Sequence, residues 1–175
     1  MHVGHLPEDE LLGDRVSVFA RSIRALSDAM LEALAAGLER HRADLVVGRL
    51  FKSRKRGGCV VGVMLRELDP ARYESGPLRF WLLDRWRHTA ASYGGVLRRN
   101  PRLRHIQWTF DAAVAELRTG RPDLRAAQAC AAVGRSFGQA VAHELAWRSV
   151  RSAAQGTPAQ DGSVPARVSR TGAAA

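Results

Sequence analysis

The sequence predicts a mainly α-helical fold: a compact bundle of about five helices, with a small β-hairpin near 46–65 and a disordered C-terminal tail. Two observations carry this prediction. Apolar side chains recur every three or four residues over several long stretches, which is the period of an amphipathic helix. Nearly all the large apolar side chains fall within 8–150, which is enough chain to bury one hydrophobic core.

The same distribution predicts the domain organisation. Residues 1–7 are expected to be a flexible lead and 8–150 a single helical domain. Segment 151–175 contains two valines and no larger apolar side chain. Such a segment cannot bury enough surface to offset its chain entropy, so it is expected to be a disordered tail.

The clearest predicted element is an N-terminal helix over 9–41. Its apolar stripe has a spacing of alternately four and three residues and consists of Leu12, Val16, Phe19, Ile23, Leu26 and Met30. One interpretation is that this stripe packs on its own domain. Because the spacing is close to a heptad, the other interpretation is a coiled-coil seam that joins a homodimer through the 9–41 helix.

Two β-favourable runs, 46–51 and 59–65, follow that helix and flank a basic turn that contains Gly57 and Gly58. A hairpin is the natural interpretation. The alternative is a pair of helical segments broken at these two glycines. Short apolar runs do not distinguish the two by period.

Four further helices are predicted. The first covers 78–97, and the second covers 101–118 and begins with Pro101, since proline suits the first helical position. A short helix over 123–132 is expected to end at Gly134. The last helix, 136–151, opens with Ser136 and Gln139 in a capping-box arrangement.

The short helix, the glycine turn and the longer helix together resemble a helix-turn-helix, with the 101–118 helix packed behind. This resemblance covers the last part of the predicted domain only. It implies that Arg135, Ser136, Gln139 and His143 face outward, with Arg148 farther along. Arginine and glutamine can read base edges, and serine can bind phosphate. The alternative is an ordinary helical hairpin that closes the core.

The positive charge is concentrated in the middle of the chain. The whole chain carries +10, and 52–110 has thirteen basic and four acidic groups, a net charge of +9. Clustered arginine is typical of a surface that binds a phosphate-rich partner; the alternative is a solvated surface that serves solubility. Two clusters contribute most of the charge: Lys52, Arg54, Lys55 and Arg56 on the expected turn, and Arg98, Arg99, Arg102 and Arg104 around Pro101.

Other chemistry has little support in the sequence. The two cysteines, Cys59 and Cys130, exclude a disulfide-rich secreted scaffold, and Cys59 is expected to be a buried core thiol rather than a nucleophile. The histidines lack the spacing of metal ligands, so we expect no metal and no cofactor. The tryptophans are expected to fill the core, with stacking on exposed bases as the alternative: Trp81, Trp86, Trp108 and Trp147.

These observations predict a cytoplasmic nucleic-acid-binding protein, and more narrowly a DNA-binding regulator that uses the arginine clusters and the helix-turn-helix-like segment. No apolar run approaches the length that a membrane-spanning helix needs. Two alternatives stay open: a helical protein-interaction module that dimerises or acts as an adaptor, and a small helical enzyme or ligand-binding protein whose site the sequence does not reveal.

Overall fold

The computed structural model describes residues 8–48, 57–73, 97 and 100–155. Within these residues the structure is helical, and its only β pairing is an isolated bridge between Leu45 and Gly58. The predicted mainly α-helical class is therefore confirmed. The elements are α1 (Glu8–Ile23), α2 (Asp28–Arg40), a 3-10 turn (Arg42–Asp44), α3 (Val60–Leu68), α4 (Pro70–Tyr73), α5 (Pro101–Gly120) and α6 (Ala126–Gln155).

The single helix expected over 9–41 is wrong in one respect, because it is two helices. The backbone N–H of Leu26 donates to the Ile23 carbonyl at 2.9 Å, and the Ser27 hydroxyl accepts from Met30 N at 3.3 Å. The Ser27 side chain caps the backbone at this position, so a new helix, α2, begins here and α1 does not continue.

The apolar stripe of these two helices packs inside the chain's own core. Phe19 and Ile23 are fully buried and Leu12 and Leu26 nearly so, while Val16 and Met30 are partly buried against them. This confirms the first interpretation of the stripe. A homodimer through 9–41 stays a prediction.

The hairpin expected near 46–65 is wrong for its second run, which forms α3. Cys59 is the N-cap residue, and its Sγ accepts from Gly62 N at 3.4 Å. Every residue from Val60 to Arg66 is buried, so the run is apolar because α3 is enclosed and not because it is a strand. A Cβ on Gly37 of α2 would lie 2.8 Å from the Val63 carbonyl group; glycine therefore lets α2 pack directly on α3.

The helix predicted over 101–118 is confirmed as α5, which Asn100 caps by accepting from Leu103 N at 3.2 Å. The two helices expected over 123–132 and 136–151 are wrong, because α6 runs without a break through Gly134. A Cβ at Gly134 would lie far too close to Leu45 Cδ1, so this glycine makes room for a neighbour and does not end a helix.

The core receives buried side chains from α1, α2, α3, α5 and α6, and three aromatic rings meet in it. The rings of Phe19 and Phe137 stack with centroids 3.8 Å apart, and Phe110 meets Phe137 edge-on at 5.8 Å. α6 extends to Gln155, into the segment expected to be a tail. The expected lead 1–7, the helix over 78–97 apart from Leu97, and 156–175 lie outside the described residues.

Candidate nucleic-acid interface

Arginines from α5 and α6 meet the corner between α1 and α2, residues 24–27. Arg148 of α6 donates to the Arg24 carbonyl at 2.9 Å, the Leu26 carbonyl at 3.0 Å and the Asp28 carboxylate at 2.6 Å. Carbonyls at the end of a helix lack intrahelical donors, so this corner needs external ones. Arg102 of α5 donates to the Ala25 carbonyl at 3.3 Å, which brings the start of α5 and the end of α6 to one end of the bundle.

A groove of about 340 Å³ lies between the end of α1 and the start of α5, beside this corner. Its charged and titratable lining consists of Arg21, Arg102 and His105, and Ser22, Ala25 and Pro101 complete the wall. No carboxylate is among these lining residues. We refer to this groove as the α1–α5 groove.

An exposed tryptophan lies on α5, three residues after the groove residue His105. Trp108 is 62% exposed, and the Arg104 guanidinium lies 5.2 Å from the centre of its ring. Trp147 on α6 repeats the arrangement with 49% exposure and Arg151 at 5.1 Å. The expectation that tryptophans fill the core is therefore wrong for these two, while Trp81 and Trp86 lie outside the described residues.

The residues expected to contact nucleic acid on α6 lie on a continuous helix, not on a recognition helix that follows a turn. Arg135, Gln139 and His143 are exposed and four residues apart, which places them in one row along the surface. The row continues to Trp147 and Arg151. Ser136 is half-buried and its hydroxyl donates to the Ala132 carbonyl at 3.5 Å, so it does not face outward as expected.

Arg135 and Gln139 also line a second groove, of about 420 Å³, between α2 and α6. On the α2 side this groove is lined by Glu39 and Arg42, which form an ion pair. Mixed charges make this wall a poorer match for a polyanion than the α1–α5 groove.

The two arginine clusters are only partly described. Arg102 and Arg104 are exposed on the first turns of α5, as expected. The other members lie outside the described residues: Lys52, Arg54, Lys55, Arg56, Arg98 and Arg99.

Both cysteines are buried, and neither is a reactive thiolate at neutral pH. Burial raises the pKa of the Cys59 thiol to about 12 and that of Cys130 to about 11, with the nearby Asp111 carboxylate a smaller cause. The raised pKa keeps both thiols protonated at neutral pH. The full burial of Cys59 confirms the prediction that it is a core thiol. No group of three or more potential metal ligands occurs in the part of the chain that the structure describes.

A buried histidine that the sequence did not single out lies between α2 and α3. His41 Nδ1 accepts from Gly57 N at 3.4 Å, and its Nε2 lies 3.6 Å from Glu67 Oε1. Burial lowers the pKa of His41, and the neighbouring Arg66 lowers it further. The neutral imidazole thus anchors the backbone at Gly57.

The described helices include none with the length and apolar character needed to cross a membrane. Comparison of the chain with protein-family models, with curated proteins and with solved structures finds no match.

Proposed function

We propose that this protein binds nucleic acid through the α1–α5 groove and the adjoining surface of α5. The observation that carries the proposal is the groove itself: two arginines, one histidine and no carboxylate line it, and the Arg104–Trp108 pair is exposed on the same helix, α5. The planar guanidinium fork suits phosphate oxygens, and an aromatic ring beside basic groups is typical of nucleic-acid-binding surfaces.

Charge compensation around the groove supports the proposal. The nearby carboxylates of Asp28 and Glu144 are both engaged by Arg148, at 2.6 and 3.0 Å. In contrast, Arg21, Arg102 and Arg104 form no ion pair within the described residues. Their positive charge is therefore left for an external anion.

Two sequence features point the same way. Arg98 and Arg99 precede Asn100, the N-cap residue of α5, in the sequence, and 52–110 carries a net charge of +9. The proposal covers phosphate contacts that do not depend on base sequence. A DNA-binding regulator would also need base readout, and the interrupted helix pair expected to provide it is replaced by the continuous α6.

The test measures the affinity for labelled oligonucleotides by fluorescence anisotropy at several salt concentrations. We expect the logarithm of the affinity to fall linearly with the logarithm of the salt concentration. Replacing Arg21 and Arg102 by glutamine should make the slope shallower by about 1.8 on duplex DNA, from roughly 0.9 per lost phosphate contact.

The matched control replaces Arg118 and Arg125 by glutamine. Both arginines are exposed and lie at the far end of α5 and just beyond it, so the variant loses the same charge away from the groove. It should keep most of the wild-type slope. Equal effects of the two double variants, or no binding by the wild type at about 50 mM salt, would contradict the proposal.

A second candidate is a protein-interaction module, favoured by apolar side chains exposed near the end of α6. Trp147 is 49% and Val150 70% exposed, and such exposure is common at protein interfaces. Sedimentation equilibrium over a range of concentrations tests self-association: a rise in mass that is lost in Trp147→Ala favours this candidate, and a constant monomer mass excludes self-association as its form.

A further inference from the structure

We infer that the ligand is a single-stranded nucleic acid and that Trp108 stacks on one of its unpaired bases. This inference rests on the proposed function and specifies its substrate class. It is carried by an exposed aromatic ring, Trp108, that follows His105 of the α1–α5 groove by three residues on α5.

The indole of Trp108 already carries one stacked cation. Arg104, one turn earlier on α5, lies over the ring at 5.2 Å, and a cation on an indole face is attracted by the ring's quadrupole. With 62% of the residue exposed, the ring keeps room for a second planar group.

The groove and the ring are close enough for one strand to occupy both. His105 lines the groove and precedes Trp108 by three residues, about 4.5 Å along the helix axis. Phosphates that contact Arg21 and Arg102 would therefore place a neighbouring base at the ring.

The same geometry disfavours duplex as the preferred ligand. Bases in a duplex are paired and stacked on one another, so their faces are not available to a ring on a helix surface. Base–aromatic stacking needs an unpaired base and works with any sequence, because every base has a π-face. A duplex would contact the basic groups alone.

The experiment compares an oligothymidylate of about 20 nucleotides, longer than the roughly 16-nucleotide upper site size of single-strand-binding domains, with a duplex of the same length. Trp108→Ala should weaken binding of the single strand by about 5- to 140-fold, the range expected for loss of one stacked base. It should change duplex binding by less than about twofold, as an exposed substitution normally would.

Trp147→Ala is the matched control, because Trp147 carries the same kind of arginine contact but lies on α6, which contributes no residue to the α1–α5 groove. It should weaken single-strand binding by less than about twofold. Trp108→Phe keeps an aromatic face and should restore most of the affinity lost in Trp108→Ala. An oligomer of abasic sites should bind the wild type and Trp108→Ala equally.

The outcomes separate this inference from the proposed function. If the double variant of Arg21 and Arg102 weakens binding of both ligands while Trp108→Ala weakens neither, nucleic-acid binding stands and the single-strand inference is overturned. The inference is also overturned if Trp108→Ala weakens duplex and single strand alike, or if Trp147→Ala matches its effect. If the wild type binds neither ligand, both proposals fail.

Discussion

Replacing Gly134 by alanine tests whether this glycine of α6 is required by packing or by backbone conformation. If packing is the reason, the sign of the change in stability should depend on Leu45, a residue distant in sequence. Gly134 lies in mid-helix, and the only side chain near the place of its missing Cβ belongs to Leu45, which is buried. Gly134→Ala should therefore destabilise the wild type. It should stabilise a variant in which Leu45 is already alanine.

The magnitudes follow from two opposing contributions. Forcing a methyl group against a packed leucine costs about 1–3 kcal/mol, and alanine gains about 1 kcal/mol over glycine inside a helix. The net loss in the wild type is thus at most about 2 kcal/mol. Leu45→Ala alone should cost about 2–5 kcal/mol, and without the leucine only the helical gain of about 1 kcal/mol is left. The coupling between the two sites should be about 1–3 kcal/mol.

Urea denaturation followed by circular dichroism gives these free energies for the four chains of a double-mutant cycle. Gly138→Ala serves as the control, because a Cβ there meets nothing within 4 Å; it should stabilise the wild type and Leu45→Ala by the same amount. If Leu45→Ala is too unstable to measure, Leu45→Val removes the offending Cδ atoms at a smaller cost. An equal loss from Gly134→Ala with and without Leu45 would mean that the backbone requires glycine there, as a turn does, and that packing against Leu45 is not the reason for the loss.

Three further predictions concern packing and charge, each measured by urea denaturation. Gly37→Ala should lower the free energy of unfolding by about 3 kcal/mol, because the new Cβ would meet the Val63 backbone at 2.8 Å. The control Gly13→Ala should be stabilising, because a Cβ there has nothing within 4 Å. A mild effect at Gly37 would contradict the tight contact between α2 and α3. Arg148→Met should lower the free energy of unfolding by about 1.5–3 kcal/mol through loss of its charged hydrogen bonds to the α1–α2 corner. The control Arg151→Met, at an exposed position, should lower it by less than about 0.5 kcal/mol. Similar values for the two variants would show that the Arg148 hydrogen bonds do not stabilise this corner. In the folded protein the pKa of His41 is lowered by burial and by Arg66 and Arg40, while Glu67 and Asp44 oppose this shift. The unfolded chain therefore binds more protons than the folded protein once the pH falls below about 6.5. The free energy of unfolding should decrease there by no more than about 1.4 kcal/mol per pH unit. His41→Asn, whose amide oxygen can still accept from Gly57 N, should reduce that slope, and an unchanged slope would show that His41 titrates as it does in the unfolded chain.

The helical period in the sequence predicts the elements whose apolar residues occupy one face. α5 begins at Pro101 as expected because the signals are local: proline at the first position, and apolar side chains at helical spacing. The stripe of α1 and α2 is predicted for the same reason, but its break is not, since Ser27 acts as a cap only once the chain turns there. The hairpin prediction fails at α3 because every residue from Val60 to Leu65 is buried and none is polar, so this short run has no polar position that would reveal a helical period.

Glycine misleads for a related reason. In sequence, Gly134 is a turn signal, and Gly57 is another; only the structure separates them. Gly57 has a positive φ of 51°, a conformation that favours glycine, while Gly134 is helical and the Leu45 side chain occupies the space where its Cβ would lie. The determining contact joins residues far apart in the chain, so no local pattern contains it. The helix-turn-helix expectation failed at this one residue.

Arginine presents the same difficulty for the candidate site. Arg148 and Arg102 look alike in the sequence, yet Arg148 donates to two corner carbonyls and two carboxylates, and is therefore committed to the fold. Arg102 donates one longer bond to the corner and stays exposed at the groove. What distinguishes a structural arginine from one available to a ligand is whether nearby acceptors already satisfy it, and those acceptors come from other helices. The available positive charge is therefore smaller than the net charge suggests, and among the described residues that line grooves it is most clearly uncompensated in the α1–α5 groove, next to the open face of Trp108.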